Sequence, residues 1–393
     1  MFAAVIESYT SIMKSLPLTT SLLCLPVLLG IFHSSVIGAP SPAPKAGISS
    51  QFFGECPEGS VTLYTLTNTN GMSVSITDFG ATVVKIITPD RHGRLADIAI
   101  GFENPSAYAS APLNFGTMGR YVNRLGKGEV TLDGATYHLT KNKGTYTMHG
   151  GKLGFNRHLW KGRVLENNPP TLRMTRLSPD GEEGFPGNLH VSATFTLTED
   201  NRLRIHYSAT TDKPTVVNIS NHTLFNLSGQ GRGDILGHIA TVNADAWTPT
   251  EAAAPIPTGE IRPIDGGPLD LRKPTVLRKH INEIGNKPPG YDLNYVQRKD
   301  GKSSWSEACE VYDPRSGRFL KFFSNQPGLQ FYTGNMFDGT LIGKGGVKYK
   351  QHCAFCLEAQ HYSDSPHHSN FPSTVLRPGE TYSATIEYCF GIR

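Results

Sequence analysis

The sequence has little charge, few cysteines and no long apolar run. Charged residues make up 18% of its 393 positions, and the formal net charge is +4. A nucleic-acid-binding chain concentrates Lys and Arg, so the composition gives no support to a nucleic-acid partner. Six cysteines are too few to staple a chain of this length. No stretch of about 18 uninterrupted apolar residues occurs, which excludes a helical channel or transporter. Helix-period segments are scarce, βαβ alternation is missing, and no fixed-period repeat points to a propeller.

What is plentiful is Gly, with 41 residues, and Pro, with 27. Hydrophobic residues reach 38%, enough for a large core. From about Gly47 onward, short β-rich runs alternate with turn signals. Val61-Thr-Leu-Tyr-Thr-Leu66, Val191-Ser-Ala-Thr-Phe-Thr-Leu197 and Leu203-Arg-Ile-His-Tyr-Ser208 are strands by composition; Asn70-Gly71, Asp133-Gly134 and Pro179-Asp-Gly181 are turns. A spacing of about ten to fifteen residues suits an all-β sandwich or barrel. Pro249 to Pro274 reads as a long ordered loop able to wall a cleft.

The first 39 residues differ from the rest. Their one acid is Glu7 and their one base Lys14; an apolar run from Leu22 to Phe32 follows, then Ser34, Ser35, Gly38 and Ala39. That order describes a secretory signal peptide cleaved after Gly38 or Ala39. Residues 40–50, with Ser41-Pro-Ala-Pro44, read as a linker. The expected organisation is a leader over 1–39, a Pro/Ser-rich linker over 40–50 and one domain over 51–393. The expected location is extracellular, with no membrane segment in the mature form.

Five cysteines follow the leader, an odd number that leaves at least one unpaired. Cys353-x-x-Cys356 beside His352 and His361 imitates a zinc motif. If His352 to Gln360 is a strand, three-residue spacing sends the two thiols to opposite faces, so no metal site is expected. Sequons at Asn218, Asn221 and Asn226 share one strand-like run, where glycosylation is sterically disfavoured.

Several segments carry residues suited to chemistry. If Thr215 to Leu227 is one strand, Val217, Ile219, Phe225 and Leu227 share a face, and Asn218, Ser220, His222 and Asn226 share the other. A polar face centred on His222 suits a carbohydrate cleft. In Ala354 to Gln360, Cys356, Glu358 and Gln360 point away from Phe355 and Leu357, so Glu358 is either a salt-bridge partner or a tuned base. Arg120 and Arg124 lie in a Gly-rich turn and could grip hydroxyls, a carboxylate or a phosphate. His149 stands beside Gly150 and Gly151, which allow close backbone approach. Asp292 opens a strand, and Gln330 neighbours aromatic rings that could pack on a sugar.

Together and in this order, these segments resemble the aldose 1-epimerase (galactose mutarotase) family from about residue 52 to 391. The carriers are Gly119-Arg-Tyr-Val-Asn-Arg124, His149-Gly-Gly151, Gly154-Phe-Asn-Arg-His-Leu-Trp160, Asn221-His-Thr-Leu-Phe-Asn-Leu227, Gly328-Leu-Gln-Phe-Tyr-Thr-Gly-Asn335, Leu357-Glu358 and Leu376-Arg-Pro-Gly-Glu380. The resemblance implies a large antiparallel β-sandwich with an open sugar cleft, no cofactor, and a monosaccharide substrate. It implies His222 as general acid, Glu358 as general base and His149 as a second active-site histidine. Asn123, Arg124, Asp292 and Gln330 match sugar-contacting positions. Leu224, Leu293 and Ala359 depart from the family pattern, which bears on sugar preference.

The implied reaction interconverts the α and β anomers of free aldohexoses such as glucose and galactose. Ring opening removes a proton from the C1 hydroxyl and delivers one to the ring oxygen, work for one base and one acid. Two other readings stay open: a hexose-6-phosphate 1-epimerase using Arg120 and Arg124, and a sugar-binding protein without turnover. A glycosidase would need a second carboxylate opposite Glu358. A monomer is the expected state.

Overall fold

Strand Leu189–Leu197 shows the pattern from which the molecule is built. Leu189, Val191, Ala193, Phe195 and Leu197 are buried, and the residues between them are not. Period-two burial of this kind makes a sheet with one face in a core. The computed structural model describes residues 45–251, 254–299 and 304–393. The expected leader, and the linker up to Pro44, lie outside the described residues. Among those described, the first strand is Gly47–Cys56, so residues expected to be linker already pair with Gly59–Thr67.

Three large antiparallel sheets dominate. A nine-stranded sheet has Leu189–Leu197, Arg202–Thr211, Tyr382–Ile392 and Arg318–Ser324 at its centre. A six-stranded sheet runs in the order Leu224–Phe225, Phe355–Gln360, Gly328–Tyr332, Asp292–Gln297, Ala244–Thr248 and Arg262–Pro263. A five-stranded sheet spans Gly47–Cys56 to Leu95–Asp97. The last strand of the six lies inside Pro249 to Pro274, so that stretch is not all loop.

The nine- and six-stranded sheets share one core. Phe225, Phe331, Phe355 and Leu357 from the smaller sheet join Phe322, Ile386 and Tyr388 from the larger, with Phe225 and Tyr388 ring centroids 5.1 Å apart. Each fully buried aromatic contributes about 1.5–3 kcal/mol. The all-β sandwich expected from the sequence is therefore present. With one face of the six-stranded sheet committed to the core, its other face is free to carry chemistry. Among the described residues, no helix is long and apolar enough to cross a membrane.

Candidate active site

Strand Phe355–Gln360 supplies the site's carboxylate. Phe355 and Leu357 enter the core, so pleat geometry sends Cys356, Glu358 and Gln360 to the opposite face. Register extends that face across the sheet: Glu358 pairs with Gln330, Gln330 with Asn294, and Tyr332 with Asp292. Gln330 Nε2 donates to Asp292 Oδ1 at 2.6 Å. Alternation also decides which aromatic faces the cleft. Phe331 is core, while the Tyr332 ring lies 6.4 Å from the His222 ring.

His222 arrives differently from the sequence expectation. Thr215 to Leu227 is not one strand. It breaks into Thr215–Val216, Ser220–His222 and Leu224–Phe225, each paired with a different partner. The breaks are filled by side chains that replace ladder bonds. Asn218 Oδ1 accepts from His361 N and its Nδ2 donates to His361 O; Asn226 Nδ2 donates to Gly233 O and Cys353 O. Val217, Ile219, Phe225 and Leu227 do enter the core. Of the polar set, Asn218 and Asn226 hold the backbone together, and His222 presents a ring to the cleft. The three sequon asparagines are fully buried, so the folded chain offers no acceptor at Asn218, Asn221 or Asn226.

The second histidine sits on a two-stranded ribbon, Arg124–Leu125 against Thr147–Met148. Asn123 (φ 64°) and His149 (φ 51°) both adopt left-handed backbone, a region that Asn and His enter more readily than most side chains. That backbone allows a reciprocal clamp: His149 N donates to Asn123 O at 2.8 Å, and Asn123 N donates to His149 Nδ1 at 3.2 Å. An Nδ1 that accepts cannot carry a proton, so His149 is a neutral ring with its hydrogen on Nε2. Burial, then the nearby His222 and Arg124, hold its pKa well below the ordinary value. At Gly150 (φ 86°) a Cβ would lie 2.0 Å from Gly119 O, which explains the glycine.

Ligating atoms of His149, His222 and Glu358 lie within 4.8 Å of one another, all three residues buried. His222 Nε2 and Glu358 Oε2 are 3.9 Å apart. Burial pushes Glu358 up to about 8; Asp292 adds to the rise and Arg124 opposes it. Burial also draws His222 down to about 4. Glu358 Oε1, His222 Nδ1 and Arg124 Nε have no partner. Buried polar atoms left open at one spot are what a polar ligand would complete. Two imidazoles and a carboxylate resemble a metal donor set, but His149, with Nδ1 accepting from Asn123 N and its hydrogen on Nε2, offers no free lone pair to a cation.

Arg124 and Arg120 part company. Arg124 Nη2 donates to Asp292 Oδ2 at 3.1 Å and Nη1 to Asn123 Oδ1 at 2.9 Å, which joins ribbon to sheet. Arg120 is buried elsewhere and donates to the carbonyls of Ser178, Pro179, Pro186 and Gly187. It cannot grip a ligand, contrary to the sequence reading. Leu293 and Ala359 point into the core and Leu224 into a second apolar cluster, so the departures from the family pattern at 293 and 359 do not touch the cleft. The zinc-like motif also resolves. The strand starts at Phe355, leaving Cys353 in the preceding turn, His352 Nδ1 is 2.9 Å from Thr333 O, and His361 Nδ1 is 3.0 Å from Gln326 Oε1. All five cysteines among the described residues are free.

The seven residues that the family resemblance assigned to the site therefore meet: His149, His222 and Glu358 as a cluster, with Asn123, Arg124, Asp292 and Gln330 linked around it. Sequence reasoning passed over Tyr332 and Asn294. Strand alternation through Gln330 and Asp292 would have found both.

Residues 62–389 match the family model described as aldose 1-epimerase. The chain is 40% identical over 347 residues to a galactose mutarotase of Sus scrofa, covering 88% of this chain and 99% of that protein. It is 33% identical over 333 residues to an aldose 1-epimerase of Escherichia coli K12, covering 84% and 94%. A solved aldose epimerase homologue from C. elegans superposes with a TM-score of 0.76 at 26% identity, covering 88% and 99%.

Proposed function

The chain belongs to the aldose 1-epimerase family, and on that premise we propose that its cleft opens and recloses the ring of a free aldohexose by proton transfer at His222 and Glu358. It is an isomerase that interconverts α and β anomers. The observation that carries the residue assignment is the 3.9 Å gap between His222 Nε2 and Glu358 Oε2, with both groups buried.

The pair needs one proton. Burial disfavours both charged forms, so in the empty cleft that proton rests on Glu358. Sugar hydroxyls donating to the carboxylate, with Arg124 beyond, favour its ionisation, and the proton passes to His222. Glu358 then takes the C1 hydroxyl proton while His222 delivers one to the ring oxygen. Bond rotation in the open aldehyde presents the other carbonyl face, and the two groups exchange roles on closure. The Nε2–H of His149 and the guanidinium of Arg124 stabilise charge on the opening oxygen. Asp292, Gln330 and Asn123 hold hydroxyls and fix register.

A hexose 6-phosphate is the poorer fit. Arg120 is spent on carbonyls, which leaves Arg124 alone of the two arginines that reading needs. A sugar-binding role without turnover would leave the acid and base without purpose. Polarimetry on fresh α-D-glucose, α-D-galactose and glucose 6-phosphate tests the reading. Acceleration of the free sugars is expected; acceleration of the phosphate ester alone would overturn it.

Residues 1–39 are proposed as an export leader and the mature chain as a monomer. N-terminal sequencing of secreted product should begin near Pro40, and light scattering should give one chain's mass.

A further inference from the structure

The ribbon that carries Arg124 and His149 belongs to none of the three large sheets, yet its groups must meet Glu358. One residue links the ribbon to the chain leaving the Glu358 strand. Asp364 follows Phe355–Gln360 after a short turn and is buried. Its N–H donates to Arg124 O at 2.8 Å, and its Oδ1 accepts from Gly126 N at 2.7 Å. Both sides of the peptide pair beyond Arg124 are therefore held by one side chain and its own backbone.

Three further features fit that task. Asp364 has left-handed backbone (φ 60°), which turns its N–H and carboxylate toward the same segment. Gly126 lacks the Cβ that would lie 3.1 Å from Asp364 Oδ2, so the carboxylate can approach. His367 Nδ1 at 2.6 Å and His368 Nε2 at 3.4 Å from the carboxylate keep it from rotating away.

We infer that Asp364 is a positioning residue that holds the backbone at Arg124 and Gly126 to the chain leaving the Glu358 strand and thereby places Arg124 for sugar binding, while His149 is held separately by its clamp with Asn123. It touches no substrate. The inference rests on the reading above that Arg124 contacts the sugar.

A double-mutant cycle separates positioning from general structural support. Asp364→Gly suits the left-handed backbone and keeps the N–H, but removes the carboxylate. It should lower kcat/KM for α-D-galactose by about 10- to 100-fold, mainly through KM, because small misplacements of a positioning group are that costly. Asp364→Asn keeps an acceptor for Gly126 N and should restore most of the activity. In an Arg124→Ala background, Asp364→Gly should cost less than about 2-fold more, since the group it places is gone. Gly126→Ala crowds the same carboxylate from the other side and should shift kcat/KM in the same direction by a smaller factor, again only where Arg124 is present, if Asp364→Gly folds poorly. Equal losses in both backgrounds, or wild-type activity in Asp364→Gly, would overturn the inference alone. Wild-type kcat/KM in Arg124→Ala would overturn the site reading and the inference with it.

Discussion

Glu358 and His222 face each other across 3.9 Å, and burial moves their proton affinities in opposite directions. A carboxyl raised to about 8 and an imidazole lowered to about 4 hold a single shared proton over the whole interval between. They titrate as a pair, so the limits belong to the pair and not to either residue.

The pH dependence of kcat/KM follows. Below about 4 both groups are protonated and the base is lost; above about 8 both are deprotonated and the acid is lost. A broad bell is expected, flat near neutrality, with limbs close to those two values. Initial polarimetric rates from pH 3.5 to 9, corrected for the buffer reaction, check it. A single limb centred near 6.5 would mean that His222 titrates as an exposed imidazole.

The same burial costs stability. A carboxyl whose folded pKa lies above its unfolded value favours the folded state below about 4.5, and that advantage is lost as pH rises through about 8. Glu358→Gln removes the titration. The variant should therefore melt above the wild type, with the gap widest near pH 9, by an amount on the order of a few kcal/mol. Thermal melts at pH 5 and pH 9 measure it. Equal melting temperatures at pH 9 would show that the carboxylate is solvated in the folded chain.

Arg120 should behave as part of the frame. Its guanidinium donates to the carbonyls of Ser178, Pro179, Pro186 and Gly187, and truncation strips that donor from the three of these residues that are buried. Arg120→Ala should lose about 3–5 kcal/mol, a fall in Tm of roughly 4–7 °C for a domain of this size. KM for galactose should hardly change in the protein that remains folded. A normal Tm with a raised KM would return Arg120 to the cleft.

Much of the sandwich was legible because strand alternation is a local property. Leu189–Leu197 and Phe355–Gln360 bury the residues that their patterns assign to the core. The same rule misled at Thr215 to Leu227, where Asn218 and Asn226 side chains interrupt the ladder with bonds to residues far along the chain. No local pattern distinguishes Arg120 from Arg124, since the difference lies in which distant segment each guanidinium meets. Likewise the clamp between Asn123 and His149 depends on two left-handed residues separated by 26 positions. The family resemblance named His149 and Arg124; pairing across the fold explains why they stand together.

The most direct test is the polarimetric rate of Glu358→Gln and His222→Ala on fresh α-D-galactose, with folding verified by thermal melts. The wild type should accelerate mutarotation over buffer, and each substitution should cut kcat by about 10² to 10⁴-fold, the usual contribution of one positioned acid or base. Retention of wild-type kcat by the folded Glu358→Gln protein would contradict proton transfer at the pair.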